Sequence, residues 1–259
     1  MAKRWTISEE LLKRKELDKF YIKENRSIGE IAKILNLGQS TVYGRLLRLS
    51  IKPMRSRKMR FNNKRGDISI PEGYSEQLSE FIGVLLGDGH LTPTQVTVTL
   101  GNKEVVYVSY LTKLIKKLFN IEPKTIRVRN GYHVVYFGST YVVRWLLSMG
   151  LVFNKVKSQV DLPPWIFSNK DYVKGFLRGF FDTDGSIYKL RFGVQLAFIN
   201  RSLPMLESLR SCLSLLDYSP SNISQFRIYL TRREDIIRFF KTVNPANAKH
   251  QKRFQMFLS

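Results

Sequence analysis

Two aspartates stand where an apolar helix is a poor place for them. The run Phe176 to Gly185 (FLRGFFDTDG) reads as an apolar helix ending at Asp184-Gly185, and Phe81 to Gly89 (FIGVLLGDG) ends the same way at Asp88-Gly89. The last turn of a helix carries unpaired carbonyls and the negative end of the macrodipole, so a carboxylate there costs a few tenths of a kcal/mol, up to roughly 1. A cost incurred twice points to something positive between the two sites. Gly83 with Gly87, and Gly179 with Thr183, are small residues four apart that would let two such helices approach closely. Two carboxylates about 5 Å apart repel by roughly 3 kcal/mol at an effective dielectric of 20. Divalent cations would turn that repulsion into a site, because hard cations take carboxylate, carbonyl and water oxygens. Such ions can activate a water and stabilise developing negative charge on a substrate oxygen.

The bulk charge agrees with a phosphate-rich substrate. The chain has 259 residues and a formal net charge of +22, which implies a polyanionic partner. A basic membrane-binding surface would need a wide-faced amphipathic helix, and none is evident. The lone Cys212 cannot form an internal disulfide, and His90, His133 and His250 are too scattered for a zinc site. The DTDG phrase fails as a calcium loop, because Gly193 stands where the bidentate glutamate should be. With no apolar signal core after Met1-Ala2 and no membrane-length apolar run, the chain is expected to be soluble, cytoplasmic and nucleoid-associated, or in an organelle if encoded there.

The elements that would position the aspartates occur twice. After Asp88 comes the alternating segment Gln95 to Leu100, ending at Asn102-Lys103; after Asp184 comes Phe192 to Phe198, ending at Asn200-Arg201. A helix is expected after each, over 105–119 and 203–216. Strands follow at 125–129 and 134–137, joined at Asn130-Gly131, and at 225–230 in the later half. Ser139 and Thr231 read as caps on closing helices over 141–149 and 233–243. Lys157 follows Asp88 at nearly the spacing at which Lys252 follows Asp184. Four landmarks in one order mark a tandem duplication.

A separate part precedes the repeats. Leu11, Leu12, Leu17, Phe20 and Tyr21 fit one face of a helix over 8–24. Ser27 and Glu30 form a capping-box pattern for a second helix carrying Ile28, Ile31, Ala32 and Leu35. That helix should end at Asn36-Leu37-Gly38 with a left-handed residue. A third helix follows from Gln39-Ser40-Thr41, with Val42, Leu46 and Leu47 inward. This pattern resembles the helix-turn-helix family, which implies that Gln39, Ser40, Thr41, Tyr43, Arg45 and Arg48 face the major groove of DNA. The run from Lys52 to Arg65, including Arg55 and Arg57, contains no acid and reads as a phosphate-tracking tether.

FIGVLLGDG and LRGFFDTDG resemble the two signature motifs of the LAGLIDADG homing endonucleases, in the single-chain form with both motifs. The resemblance covers about residues 74–258. It implies an α+β fold: a tandem pseudo-twofold repeat of αββαββα forming a saddle, preceded by a small all-α helix-turn-helix domain. The expected domains are 1–51 (helix-turn-helix), 52–72 (basic linker), 73–165 (first repeat) and 166–259 (second repeat). The resemblance implies a site-specific double-strand DNA endonuclease using Mg2+ or Mn2+, acting in intron homing, and a monomer on double-stranded DNA. It makes Asp88 and Asp184 metal ligands, helped by the Gly87 and Thr183 carbonyls. Asn102 and Asn200 would organise water, and Lys157 and Lys252 would assist the chemistry, with Lys249 the alternative to Lys252. The polar strand faces would cover the DNA with Lys103, Arg127, Arg129, Lys189, Arg191, Arg201 and Arg227 in or beside the groove.

Leu86 stands where the family motif has its first aspartate, so Asp182, its counterpart, is expected to lie outside the shared chemistry. Inteins carry the same domain but begin with Cys or Ser and end in His-Asn; from Met1-Ala2 and Phe257-Leu258-Ser259 the chain is expected to be freestanding. Two other readings share the fold: a DNA-binding transcriptional regulator that does not cleave, and an intron RNA maturase with intron RNA as partner. Two retained acids favour the nuclease.

Overall fold

Two helices, each interrupted by glycines on one side, cross at the centre of the larger of two compact units, which divide after Arg60. The computed structural model describes residues 6–24, 26, 28–49, 51, 67–128 and 131–258. The expected Ser27 cap, the basic run over 52–66 with Arg55 and Arg57, and Arg129 with Asn130 lie outside the described residues.

In the smaller unit, α1 (Ile7–Asp18) opens with a capping box in which Thr6 Oγ1 accepts from the Glu9 amide and the Glu9 carboxylate accepts from Thr6 N–H. It continues into one π-type turn, Lys19–Lys23. Helices α2 (Ile28–Ile34) and α3 (Gln39–Arg48) follow. Between them Asn36 takes the left-handed conformation (φ 49°), and Leu37 N–H reaches back to the Ala32 carbonyl at 2.9 Å, closing α2. Leu17, Tyr21, Ile31, Ala32, Val42, Leu46, Leu49 and Ile51 form the core. Leu12, expected inside, is 68% exposed. Five positions from Leu17 it stands roughly 140° away around the helix. The side chains of Leu11 and Leu47 are not among those described.

The larger unit begins with α4 (Glu76–Leu86), β1 (Gly89–Leu91), β2 (Gln95–Gly101), α5 (Val105–Phe119), β3 (Lys124–Val128), β4 (Tyr132–Gly138) and α6 (Thr140–Ser148). These make one αββαββα copy, with an antiparallel sheet ordered β1-β2-β4-β3. The second copy is α7 (Lys170–Asp184), β5 (Gly185–Leu190), β6 (Gly193–Ile199), α8 (Leu203–Leu215), β7 (Arg227–Leu230) and α9 (Arg233–Thr242), followed by α10 (Ala248–Leu258). Its antiparallel sheet has three strands, β5-β6-β7.

The second copy therefore lacks the counterpart of β3. Pro220 has no N–H to give a ladder, Gln225 and Phe226 sit at positive φ (49° and 60°), and only an isolated bridge joins Ser224 to Arg227. The Ser221 hydroxyl accepts from Tyr229 N–H at 3.0 Å, so a side chain does part of what a strand would do. Ser139 caps α6 as expected, accepting from Val142 N–H. Thr231 does not cap α9: the preceding residue is Arg232, which makes no side-chain cap bond. The terminal α10 lies beyond the closing helix that the repeat pattern predicts.

One continuous core fills the space between the sheets and helices, from Leu78 and Phe81 on α4 through Phe176 and Phe180 on α7 to Phe239 on α9. The opposite face of each sheet is polar: Gln95, Thr97 and Thr99 on β2, then Ser186, Tyr188, Arg227 and Tyr229 in the second sheet. No helix among the described residues is long and apolar enough to cross a membrane.

Candidate functional site

Glycine decides how close α4 and α7 come. A Cβ at Gly83 would overlap the Phe176 carbonyl, one at Gly179 the Glu80 carbonyl, and one at Gly175 the Glu76 carbonyl; Gly87 faces the Thr183 side chain. The helices thus touch backbone to backbone. Ion pairs fasten the far end of the crossing: Arg178 donates to Glu76 at 2.7 Å and to buried Glu80 at 3.1 Å, and its Nε donates to the Val243 carbonyl. Tyr110 donates a further bond to Glu80 at 2.5 Å.

At the near end the two helices stop side by side. Asp184 is the last residue of α7, and Asp88 lies just past the Gly87 cap of α4. Burial pushes Asp184 up to about 7, and the negative charge of Asp88 adds to that; Lys155 and a 3.4 Å hydrogen bond from Asn200 Nδ2 oppose it. Asp88 is also raised, by burial first, with Glu104 adding to the rise and Lys249 and Lys155 opposing it. Each carboxylate is thus held partly out of water near another acid. Two carboxylates, with Gly87 and Thr183 lining the same cavity as Asp184, are oxygen donors of the kind a hard divalent cation takes. Among the described residues no group of three His, Cys, Asp or Glu could hold a metal. The remaining oxygens would have to come from water or substrate.

An open cavity of about 440 Å³ adjoins Asp184, lined among others by Gly87, Lys155, Thr183, Asn200 and Arg201; Asp88 is not part of its lining. The first-choice lysines stand away from the helix ends, and in the second copy the stated alternative, Lys249, stands nearer. Lys157 is exposed, and its N–H caps the turn by donating to Asn154 Oδ1, whereas Lys155 Nζ donates to the carbonyls of Leu85 (2.9 Å), Leu86 (3.1 Å) and Gly87. In the second copy Lys252 is exposed, and Lys249 makes a 2.6 Å ion pair with Glu104 beside Asp88. A two-residue step along a turn and a three-residue step along α10 each move a side chain away from the helix ends.

Asn102 also departs from expectation. Its carbonyl lies 3.2 Å from His133 Nε2 and its side chain is beside Gly131, on the β4 side. Strand register explains this: Gly89 pairs with Val98 and Gly185 with Phe198, so Leu100, not Asn102, shares the register position of Asn200. Asp182 accepts N–H bonds from Ala246 (2.8 Å) and Asn247 (3.0 Å) and is fully buried, which pushes it up to about 8. It holds the segment ahead of α10 and takes no place at the cavity.

The basic residues divide by face. Arg227 lies on the polar sheet face, and Arg201 lines the cavity with its guanidinium 5.8 Å from the Phe226 ring. Arg127 pairs with His133 and Lys189 with Val194, on the core-facing side of each sheet, and both emerge at sheet ends. Lys103 is exposed in the turn after β2, and Arg191 on the tip between β5 and β6. In the smaller unit Gln39, Ser40, Thr41, Tyr43 and Arg48 are exposed along α3, with Arg45 half-buried.

A family model described as a LAGLIDADG-like domain matches residues 171–244. A second, described as the WhiA LAGLIDADG-like domain, matches 1–43 and 78–155. The two αββ-type repeats about the crossed helices are thus LAGLIDADG-like domains, and the mixed α and β architecture with two antiparallel sheets is that fold. Among curated proteins, the chain is 28% identical to the glutamine–fructose-6-phosphate aminotransferase of Methanocaldococcus jannaschii over 122 residues, 46% of this chain and 11% of that protein. It is 31% identical to one of the subunits of the A-type ATP synthase of Pyrococcus abyssi over 129 residues, 49% of this chain and 12% of that protein. The replication factor C small subunit of M. jannaschii is 30% identical over 121 residues, 45% of this chain and 6% of that protein. The chain therefore spans only a small part of the length of these relatives. Among solved structures, the N-terminal LAGLIDADG domain of DUF199/WhiA has a TM-score of 0.46 at 18% identity, covering 68% of this chain and 84% of that one. The homing endonuclease I-DmoI in complex with DNA and Ca has a TM-score of 0.48 at 16% identity, covering 65% of this chain and 88% of that one.

Proposed function

We propose that this protein is a metal-dependent, site-specific double-strand DNA endonuclease. The observation that carries the reading is the pair Asp88 and Asp184, which glycine-mediated packing of α4 and α7 brings to one place against the electrostatic preference of both carboxylates. A regulator that only bound DNA would have no use for that cost. The curated matches lend support: about half of this chain is matched in each of an aminotransferase, an ATP synthase and a replication factor and fills little of any of them, which is better read as a module carried in unrelated hosts than as any host's activity.

In this reading the polar sheet faces take the DNA, Arg227 and Arg201 meet phosphates or base edges, and the helix ends meet the scissile bonds. A bound divalent cation, Mg2+ or Mn2+, supplies Lewis acidity toward water and phosphate oxygens. Asp88 and Asp184 would hold it through their carboxylates. Asn200 orients Asp184 by its hydrogen bond, Lys249 pairs with Glu104 and offsets its negative charge beside Asp88, and Lys155 supplies positive charge at the cavity wall. In this reading the smaller unit takes the major groove with Gln39, Ser40, Thr41, Tyr43 and Arg48 of α3, and the basic sequence of 52–66 adds phosphate affinity.

Purified protein with magnesium is expected to cut a DNA library containing the uninterrupted sequence into which its own gene is inserted. Asp88→Asn and Asp184→Asn are each expected to abolish double-strand cleavage while leaving DNA affinity within a few-fold. The WhiA match over 1–43 and 78–155 favours a second reading, a DNA-binding regulator without cleavage. Specific binding with no strand scission in magnesium or manganese decides for that reading.

A further inference from the structure

The C-terminal end of α4 already has a cation. Its last turn contains no basic residue of its own. Lys155, from the turn after α6, supplies one, and its ammonium donates to the three successive carbonyls of Leu85, Leu86 and Gly87. An ammonium has three protons, so its donors are fully used. The α7 end is built differently: Thr183 Oγ1 donates to the Gly179 and Phe180 carbonyls, and among the described residues no lysine reaches the Asp184 terminus in this way. Lys155 also acts on both Asp88 and Asp184. It therefore sets its ammonium against a carbonyl terminus and two carboxylates, with burial working against the charge, and it uses the Gly87 carbonyl, one of the oxygens assigned to a divalent ion.

We propose that Lys155 is a built-in competitor for the divalent cation, holding the helix-end oxygens in the free protein and releasing them when DNA phosphates offer its ammonium another partner. This rests on the nuclease reading of the aspartate pair. The protein's own donors fall short of a full cation shell, and DNA supplies both the missing oxygens and the anion that draws Lys155 away. Cation loading is then coupled to DNA binding, and the site stays closed to metal until substrate arrives.

The test is Mn2+ binding to the full-length protein without DNA, followed by electron paramagnetic resonance of the free ion. Lys155→Met is expected to bind Mn2+ at least tenfold more tightly than the parent, with Asp88→Asn in that background removing the gain. Should Lys155→Met fail to fold by circular dichroism, Lys155→Gln keeps an amide donor without the charge and should still bind several-fold more tightly. Equal or weaker binding by the folded lysine variant, with Asp88→Asn weakening parent and variant alike, overturns the competition but leaves the aspartate pair as a metal site. Binding that ignores Asp88→Asn, or no binding in any variant, overturns the metal reading and this proposal together.

Discussion

His250 is wholly buried against Phe181, with ring centroids 4.6 Å apart, and burial first, then the charges of Lys249 and Arg253, pushes it down to about 3. Its pKa when folded lies below the unfolded value near 6.5, so its contribution to stability is complete above pH 6.5 and is lost as pH falls toward 3. In His250→Phe that loss should vanish. The stability of the variant relative to its parent is expected to rise by about 1.4 kcal/mol per pH unit below 6.5, read from denaturant melts at pH 7, 6, 5 and 4. Parallel stability–pH curves for the two proteins would contradict it. The carboxylates raised by burial, among them Asp182, Asp184 and Glu80, act in the opposite sense in both proteins and cancel in the difference. Side chains on helix ends were the legible ones at this scale. Asp88 and Asp184 announce themselves because an acid after an apolar helix is locally unfavourable, and the structure brings them together. Lys155 was not legible: in the turn Asn154-Lys155-Val156-Lys157 no periodicity says which lysine turns inward, and only the carbonyls of α4 decide it.

The pairing of α4 and α7 should be the most sensitive element-scale feature. At Gly179 an added methyl meets the Glu80 carbonyl and the Val84 amide, which are backbone and cannot rotate away. Gly179→Ala is therefore expected to cost about 1–3 kcal/mol or more through overpacking, despite the helix propensity of alanine. For a unit of this size that is a drop of roughly 3–10 °C in Tm. Cleavage should fall further than the residual folded fraction explains, because separating the helices separates Asp88 from Asp184. A Gly179→Ala protein with the parent's Tm and rate would show that the helices are not held by this contact. The helices and the strands β2 to β4 of the first copy followed from periodicity and caps such as Ser139, whereas the three-residue β1 is too short to show a period. The missing strand of the second copy was legible only in part. Pro220 and the Ser-Asn run disfavour a ladder, yet whether a neighbouring strand pairs with the segment is decided by tertiary contacts such as Ser221 with Tyr229.

For the whole molecule the charge is the governing quantity, and it is unevenly spread. Residues 1–66 hold 18 of the 43 basic residues but 6 of the 21 acidic ones. The compact unit that follows contains both aspartates, both sheets and the whole of the larger core, separate from the core around Leu17 and Val42. On the endonuclease reading proposed above, chemistry and much of the phosphate affinity would belong to different stretches of chain, an assignment that composition alone could not make. Deleting residues 1–66 is accordingly expected to weaken DNA binding and shorten the protected footprint while leaving single-turnover cleavage at saturating protein near the parent rate. The slope of log affinity against log salt should become shallower by about 0.9 for every phosphate contact removed. Footprinting and a salt titration on the same DNA measure both. A folded truncation that binds with the parent's salt slope would remove the front segment from the interface. One that binds well but cannot cut would place part of the catalytic apparatus in it.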